Sequence, residues 1–189
     1  LGCAPRLDSS IETAFLLAAL ADRAGDKVHV VAADSRVRAR VSGVRGPKII
    51  ETLAQAFTDI SARLDVTDWA QVAATVERTV HHSAFVVIAT KIPPAGMDTE
   101  FTEALSRLTE RHTVLVASAT DPDELRARRG RADAEEVFLA ASAALSQRSD
   151  EAGAADVRLA GALTLQASAD LLPARTADRY IELKKSGRL

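Results

Sequence analysis

The chain has 189 residues, and its 24 basic and 26 acidic side chains give a formal net charge of −2. This length is typical of a single domain and is sufficient for a sizeable core. The near-balanced charge argues against a dedicated nucleic-acid or anionic-membrane binder. The single cysteine excludes an internal disulfide and a cysteine-based zinc cluster. No run of about 18 apolar residues, the length that a membrane-spanning helix needs, is present.

Two hydrophobic patterns alternate along the chain. In chain order, apolar residues at helical spacing predict helices over 8–24, 49–62, 69–81, 99–111, 132–156 and 171–185. Short, nearly continuous apolar runs predict buried strands over 28–33, 85–89, 114–117 and, more briefly, 163–165. Residues 37–41 alternate apolar side chains with arginine, which is typical of an edge strand.

This alternation of strands and helices predicts an α/β fold. Parallel βαβ units place helices on both faces of one sheet. We therefore expect a doubly wound, mostly parallel sheet with one antiparallel edge strand, formed by the whole chain as a single domain. Asp8 or Ser9 is expected to cap the first helix, and Asp68 the third.

Polar residues follow or precede several of these elements at the edge of the sheet where ligands of α/β proteins bind. They are Asp34, Ser35, Thr67, Asp68, Thr90, Lys91, Thr120 and Asp121. Carboxylate and hydroxyl oxygens gathered at one edge can hold Mg²⁺. Each aspartate equally fits a helix cap or a closed turn, so both interpretations stay open at this point.

The common phosphate-binding and nucleophile motifs are missing. Residues 43–49 place glycine and lysine before a helix, but the spacing differs from GxxxxGK[ST] and no hydroxyl follows the lysine. Neither GxGxxG nor GxSxG occurs, and nothing marks Cys3 as an activated thiol. The pair His81 and His82, like His112, is expected at a helix end, where a cation interacts favourably with the helix dipole.

Five segments of the chain carry a family resemblance. They are residues 25–34 (GDKVHVVAAD), 67–70 (TDWA), 85–90 (FVVIAT), 108–122 (LTERHTVLVASATDP) and 179–189 (RYIELKKSGRL). In this order they resemble the bacterial family called domain of unknown function 58, whose members carry a von Willebrand factor A-like domain. The resemblance covers nearly the whole chain and implies a Rossmann-type, doubly wound sheet with helices on both faces.

The resemblance also implies a metal-ion-dependent adhesion site, built from a DxSxS motif after the first strand, a threonine in a second loop and an aspartate in a third. Thr67 matches the second-loop threonine, with Asp68 and Thr90 as further candidate ligands, but Lys91 stands where the third-loop aspartate belongs. A lysine ammonium repels a divalent cation, by roughly 4 kcal/mol per unit charge product at about 4 Å and an effective dielectric near 20. We therefore expect a degenerate site without a tightly bound metal or another cofactor. Mg²⁺ is expected to bind only if a DxSxS motif is present upstream of this sequence.

The first strand of the A-domain order, which carries DxSxS, is not visible in the sequence. Asp8, Ser9 and Ser10 lack both the second spaced serine and a preceding apolar strand. In that order the strand lies in the middle of the sheet, beside residues 28–33, and its omission leaves two rows of backbone groups unpaired. The chain is therefore expected to be a fragment without its first strand and its upstream membrane and β regions, or to have this position filled by another segment or chain.

Two functions of different classes follow as hypotheses. The resemblance implies a non-catalytic interaction or scaffold module that works with a MoxR-type AAA+ ATPase, docking through a rim formed by Asp34, Ser35, Lys91 and Asp121. It further implies the cytoplasmic domain of a membrane-associated bacterial protein. The alternative is a metal-assisted hydrolase built on Asp34, Asp68 and Asp121, which requires their carboxyl groups to converge.

A third hypothesis concerns the alanine-rich helix predicted over 132–156. Small residues permit close approach between helices, so this helix can serve self-association, although packing on its own sheet is the ordinary interpretation. Exposure of the face that carries Val137 and Leu145 would favour a partner.

Overall fold

Helices and strands alternate along the computed structural model, which describes residues 5–120 and 134–189. The helices in these residues are α1 (Pro5–Arg23), α2 (Lys48–Phe57), α3 (Trp69–Thr79), α4 (Thr99–Thr109), α5 (Ala134–Leu159) and α6 (Leu172–Lys185). The strands are β1 (His29–Ala33), β2 (Val37–Ser42), β3 (Phe85–Ala89), β4 (Thr113–Thr120) and β5 (Leu163–Ser168). The predicted α/β class is confirmed.

A three-stranded parallel sheet of order β3-β4-β5 forms one half of the molecule. Its register places Val87 beside Leu115 and Leu115 beside Leu163. β4 lies between two strands, and its inner residues 114–119 are buried. A continuous apolar run suits this position, because both faces of a central parallel strand are covered.

An antiparallel hairpin, β1-β2, forms a second sheet. Val30 lies beside Val41, and the pairing is irregular between Ala32 and Ala33. The alternation of arginine along residues 37–41 correctly predicted a strand, here antiparallel to β1. Residues 5–120 and 134–189 thus form two sheets, whereas the sequence predicted a single one, because within these ranges no backbone hydrogen bonds join β1 to β3.

Helices cover both faces of the parallel sheet. On one face α3, α4 and α5 enclose a core that contains Trp69, Phe101 and Leu105. On the other face α6 packs through Leu172 against β4. α1 lies against α6 and α2, and its Phe15 joins α2 and the hairpin in a separate cluster around Leu53.

Several element boundaries differ from the sequence prediction. α2 ends at Phe57 rather than at residue 62, because Thr58 donates its N–H to the carbonyl of Gln55 and tightens the last turn. β4 continues to Thr120, paired with β5 throughout. α1 starts at Pro5, so the expected cap at Asp8 or Ser9 is wrong: Ser9 is buried inside the helix, and its carbonyl accepts the Thr13 hydroxyl at 2.7 Å.

The predicted helix over 132–156 corresponds to α5, which is anchored near its end. Gly153 lies against the loop before α4, where a Cβ would sit 3.1 Å from Ile92 Cγ2 and would collide with the carbonyl of Pro93. Nearer the start of α5, Phe138 and Leu145 are exposed to 70% and 68%. Seven residues separate them, which places both on one side of the helix.

Candidate functional site

Three loops meet at the carboxyl edge of the strands, where the sequence placed the candidate site. The backbone N–H of Asp68, at the start of α3, donates to the carbonyl of Asp34, which directly follows β1, at 3.0 Å. The Trp69 indole N–H donates to the Asp98 carboxylate at 3.1 Å, and Asp98 ends the loop that leaves β3. Two of the predicted site residues, Asp34 and Asp68, therefore lie next to each other.

The Asp34 carboxylate is already engaged. It accepts the backbone N–H of Arg36 and the Arg38 guanidinium, each at 3.1 Å, and its side chain is 19% exposed. Partial burial raises the pKa of Asp34, but the Arg36 hydrogen bond and the charges of Arg38 and Arg36 outweigh burial, so that this pKa lies below its ordinary value. Asp34 thus closes the β1–β2 turn as an anion paired to arginine.

Asp68 acts as the N-cap of α3, as predicted. Its Oδ1 accepts the backbone N–H of Gln71 at 2.8 Å, satisfying one of the free donors of the first helical turn. Thr67 precedes the cap and is half-buried. A capping carboxylate keeps its other oxygen free, so Asp68 retains capacity for one further ligand.

Thr90 and Lys91 follow β3 at the same edge. The Thr90 N–H donates to the carbonyl of Ala117 at 3.1 Å, which continues the β3–β4 pairing by one step. Lys91 is exposed, as is Ser35 in the β1–β2 turn. The exposed polar side chains here include the Ser35 hydroxyl, the Arg36 guanidinium and the Lys91 ammonium. The sequence-predicted rim residue Asp121 lies outside the described residues.

The residues described at this edge do not form a ligand set for Mg²⁺. Mg²⁺ demands near-octahedral oxygen coordination, with one or two carboxylates left free for the ion. Asp34 is bound to Arg36 and Arg38, and Asp68 is left with one carboxylate oxygen beyond the one that caps α3. In residues 5–120 and 134–189 no three histidine, cysteine, aspartate or glutamate side chains lie close enough together to hold a metal.

Sequence reasoning missed long-range partners of two aspartates. Asp98 caps α4 through Oδ1, at the helix start that the sequence indicates, but its Oδ2 also accepts the Trp69 indole N–H, a contact without a local signal. At the opposite edge, Asp26 accepts the Tyr180 hydroxyl at 2.6 Å and the Lys184 ammonium at 2.5 Å. A separation of 154 residues gives no local signal for the contact with Tyr180.

The histidines depart from the predicted helix-end interpretation. His81 and His82 lie beyond the end of α3 at Thr79 and are exposed. His112 is 6% exposed, and burial, followed by the charge of Arg111, lowers its pKa. Burial thus disfavours the imidazolium form that the helix-dipole interpretation requires at His112.

The principal open cleft in the described ranges lies away from the carboxyl edge. Its volume is about 440 Å³, and it runs along the first residues of β5 and the middle of α6. Arg158, Arg175 and Arg179 line it together with Asp178 and Glu182. Arg179 pairs with Glu182, and Arg158 donates to the Thr164 hydroxyl.

Comparison of the chain with protein-family models, with curated proteins and with solved structures finds no significant match. In the part of the chain that the structure describes, no helix combines the length and the apolar character that crossing a membrane requires.

Proposed function

We propose that this chain is a non-catalytic interaction module, a von Willebrand factor A-like domain of the domain of unknown function 58 type, which docks a protein partner at the carboxyl edge of its strands without a tightly bound metal. The state of Asp34 carries this proposal. Its carboxylate is bound to Arg36 and Arg38, while Ser35, which follows β1, and Lys91, which follows β3, are exposed. Such an edge offers hydrogen bonds and a positive charge to a protein surface.

The proposed partner is a MoxR-type AAA+ ATPase, and the proposed setting is the cytoplasmic side of a bacterial membrane-associated protein. Both follow from the family resemblance of residues 25–34 and 179–189. An exposed lysine favours an acidic patch on the partner, because complementary charge speeds encounter and disfavours wrong partners.

The first test measures binding to the cognate MoxR-type ATPase in its ATP-bound and ADP-bound states by biolayer interferometry. Lys91→Glu is expected to weaken binding about tenfold, since reversing a rim charge introduces repulsion. Lys185→Glu, an exposed lysine at the end of α6, serves as the matched control and is expected to bind like the parent. Absence of binding by the parent in both nucleotide states would refute the proposed partner.

A calorimetric titration with Mg²⁺ and Mn²⁺ tests the metal-free part of the proposal. The parent is expected to bind neither ion at micromolar affinity, and Lys91→Asp, which restores a third-loop carboxylate, is expected to bind more tightly than the parent. Tight binding by the parent would contradict the degenerate site and would favour the metal-assisted alternative.

Self-association through α5 is a second candidate, favoured by the exposure of Leu145, which belongs to the face named in the sequence hypothesis, and of Phe138 on the same side of the helix. The side chain of Val137, the other residue of that hypothesis, lies outside the described part of the structure. Sedimentation equilibrium tests it directly. An oligomer that dissociates in Leu145→Glu, and not in the exposed control Gln147→Glu, would support it, whereas a monomeric parent at high micromolar concentration would exclude it.

A further inference from the structure

The open cleft between β5 and α6 lies along the outer edge of β5. Within residues 5–120 and 134–189, β5 pairs with β4 on one side only. Leu163, Thr164 and Leu165 line the cleft, and the side chains of consecutive strand residues point to opposite faces of a sheet. A cleft that contacts all three therefore reaches the edge of the strand rather than one face. Its volume of about 440 Å³ is within the range of ligand-binding clefts, about 300–1,000 Å³.

The backbone of Thr164 faces this cleft. The N–H of Ala169, one residue after β5, donates to the carbonyl of Thr120 in β4 at 3.2 Å. The backbone groups of successive strand residues point to alternate sides, so steps of two residues back from Ala169 lead to groups that face β4. The N–H and C=O groups of Thr164 and Gln166 therefore face away from β4, where they are a template for a further strand.

Helices on opposite faces of the parallel sheet form the two walls of the cleft. Arg158, in the last turn of α5, bounds the cleft on one face, and its guanidinium donates to the Thr164 hydroxyl at 3.2 Å. Arg175 and Arg179, one turn apart on α6, bound it on the other face. A strand added to β5 directs alternate side chains to the two faces, so it meets guanidinium groups on both.

The charges of the cleft favour a ligand that carries carboxylates. Among the described residues, the Arg158 guanidinium bonds only a neutral hydroxyl, and the Arg175 guanidinium has no hydrogen-bond or ion-pair partner. Arg179 pairs with Glu182, and Asp178 is the other acidic residue of the lining. Three arginines against two carboxylates leave the cleft with a positive charge. Guanidinium groups bind carboxylates through two parallel hydrogen bonds, which adds geometric specificity to the charge attraction.

We propose that this cleft binds an extended acidic segment of a partner protein, which adds to the outer edge of β5 as a further strand and pairs its carboxylates with Arg158 and Arg175. Main-chain hydrogen bonds to Thr164 and Gln166 supply affinity, and the arginines of the two walls select acidic side chains. The extended sheet has the order β3-β4-β5-segment. Neither Ser35 nor Lys91 lines this cleft, so this proposal and the proposed docking rim can fail separately.

Hydrogen exchange of the full chain, resolved by residue with NMR, tests the added strand with the capped peptide GVEEEVG. We expect the peptide to slow exchange at the Thr164 and Gln166 amides by about tenfold or more, and to leave β1 and β3 unchanged. The uncharged peptide GVQQQVG is expected to bind at least about tenfold more weakly, because it cannot pair with guanidinium groups.

A second control peptide separates strand pairing from charge. GVEEEVG with N-methyl groups on its second and third glutamates keeps its charge but loses two neighbouring backbone donors. Because neighbouring residues direct their N–H groups to opposite sides, one of the lost donors faces β5 in either register. This peptide is expected to give no protection at Thr164 or Gln166.

Two substitutions test the arginines of the walls. Arg158→Glu and Arg175→Glu are each expected to weaken binding of GVEEEVG about tenfold, measured by fluorescence anisotropy, since each replaces attraction by repulsion. Arg148→Glu carries the same charge change on an exposed residue of α5 that does not line the cleft. It is expected to bind the peptide like the parent.

Four results would overturn the proposal. Absence of GVEEEVG binding by the parent would show that β5 does not accept an acidic strand, and equal binding of GVQQQVG would show that charge plays no part. Equal binding of the N-methylated peptide, together with its displacement by millimolar inorganic phosphate, would show a site for free anions only. Protection of Thr164 that rises with protein concentration in the absence of peptide would show that a second copy of the chain covers β5.

Discussion

β4 of the parallel sheet and β1 of the hairpin are both rich in apolar residues but differ in burial. β4 and β1 both consist largely of an uninterrupted apolar run, yet residues 114–119 are buried, while every residue of β1 is half-buried. β4 has a strand on each side, whereas β1 has one neighbour in the described residues. An apolar run therefore indicates that a strand can be buried. How deeply the strand is buried depends on whether it has a paired strand on one edge or on both.

The largest expected effect on stability comes from truncating one buried leucine in each of the two core clusters. Leu105 lies fully buried under the parallel sheet and Leu53 fully buried under the hairpin, so either change to alanine removes the same methyl groups and leaves a cavity. Leu105→Ala is expected to lower the free energy of unfolding by about 2–5 kcal/mol. Leu53→Ala is expected to act mainly on the hairpin, because its cluster is separate from the sheet core.

Denaturant unfolding combined with hydrogen exchange distinguishes these effects. Leu105→Ala is expected to speed exchange throughout β3, β4 and β5. Leu53→Ala is expected to speed exchange in β1 and β2 while β4 keeps its protection. Equal acceleration of β1 and β4 in both variants would show that the two regions unfold as one unit.

Gly153→Ala tests how tightly α5 packs against the loop before α4, on one face of the parallel sheet. Alanine is the better helix former by about 1 kcal/mol in a helix interior, so the change would stabilise α5 if the space were open. Here the new methyl group would collide with the Pro93 carbonyl and crowd Ile92. We therefore expect a net loss of roughly 1–3 kcal/mol from overpacking, measured by urea denaturation.

A change elsewhere in α5 controls for helix propensity. Ser142 is exposed in the same helix, and Ser142→Ala is expected to leave stability unchanged or slightly increased, because alanine has the higher helix propensity. A Gly153→Ala variant as stable as this control would mean that α5 moves away from Pro93 at little cost.

Local features of the fold were predictable, and long-range pairings were not. The caps at Asp68 and Asp98 depend on neighbours three residues away, which the sequence displays. The pairing of Asp26 with Tyr180, and the separation of β1 from β3, depend on elements far apart in the chain. Their geometry follows from how the helices pack, and no local pattern encodes it.

In the candidate site, too, the positions of residues were predictable from the sequence, while their contacts were not. The sequence placed Asp34 after a strand and Asp68 at the start of a helix, because the ends of strands and the starts of helices are visible in the hydrophobic pattern. It left open whether Asp34 binds a metal or closes a turn. The contact that shows Asp34 closing the turn is the hydrogen bond from Arg38, four residues away, at 3.1 Å. The sequence could not show this contact, because an arginine in an edge strand is equally suited to face water.

Tyr180→Phe tests the connection between the two regions and is expected to have a smaller effect. The change removes the hydroxyl that donates to Asp26 and keeps the ring on Phe85. A hydrogen bond to a charged group contributes about 1.5–3 kcal/mol, but the Asp26 side chain is 43% exposed, so screening reduces the loss to about 1 kcal/mol. Thermal unfolding measures it, and a loss that 1 M salt leaves unchanged would exclude the charged partner as its cause.

The smallest expected effect concerns pH and compares one histidine from each region. Burial lowers the pKa of His112 beside the parallel sheet and of His29 in the hairpin, and nearby arginine charge lowers both further. The unfolded chain then binds more protons than the folded chain below about pH 6.5, so stability falls as the pH drops through that value and further toward the folded pKa. His112→Gln, which cannot titrate, is expected to flatten urea unfolding curves recorded between pH 7 and 5. His29→Gln is expected to flatten instead the pH dependence of the protection factors of β1 and β2, that is, of exchange rates divided by the intrinsic rate at each pH. A parent whose stability is constant over this range would show that neither imidazole resists protonation.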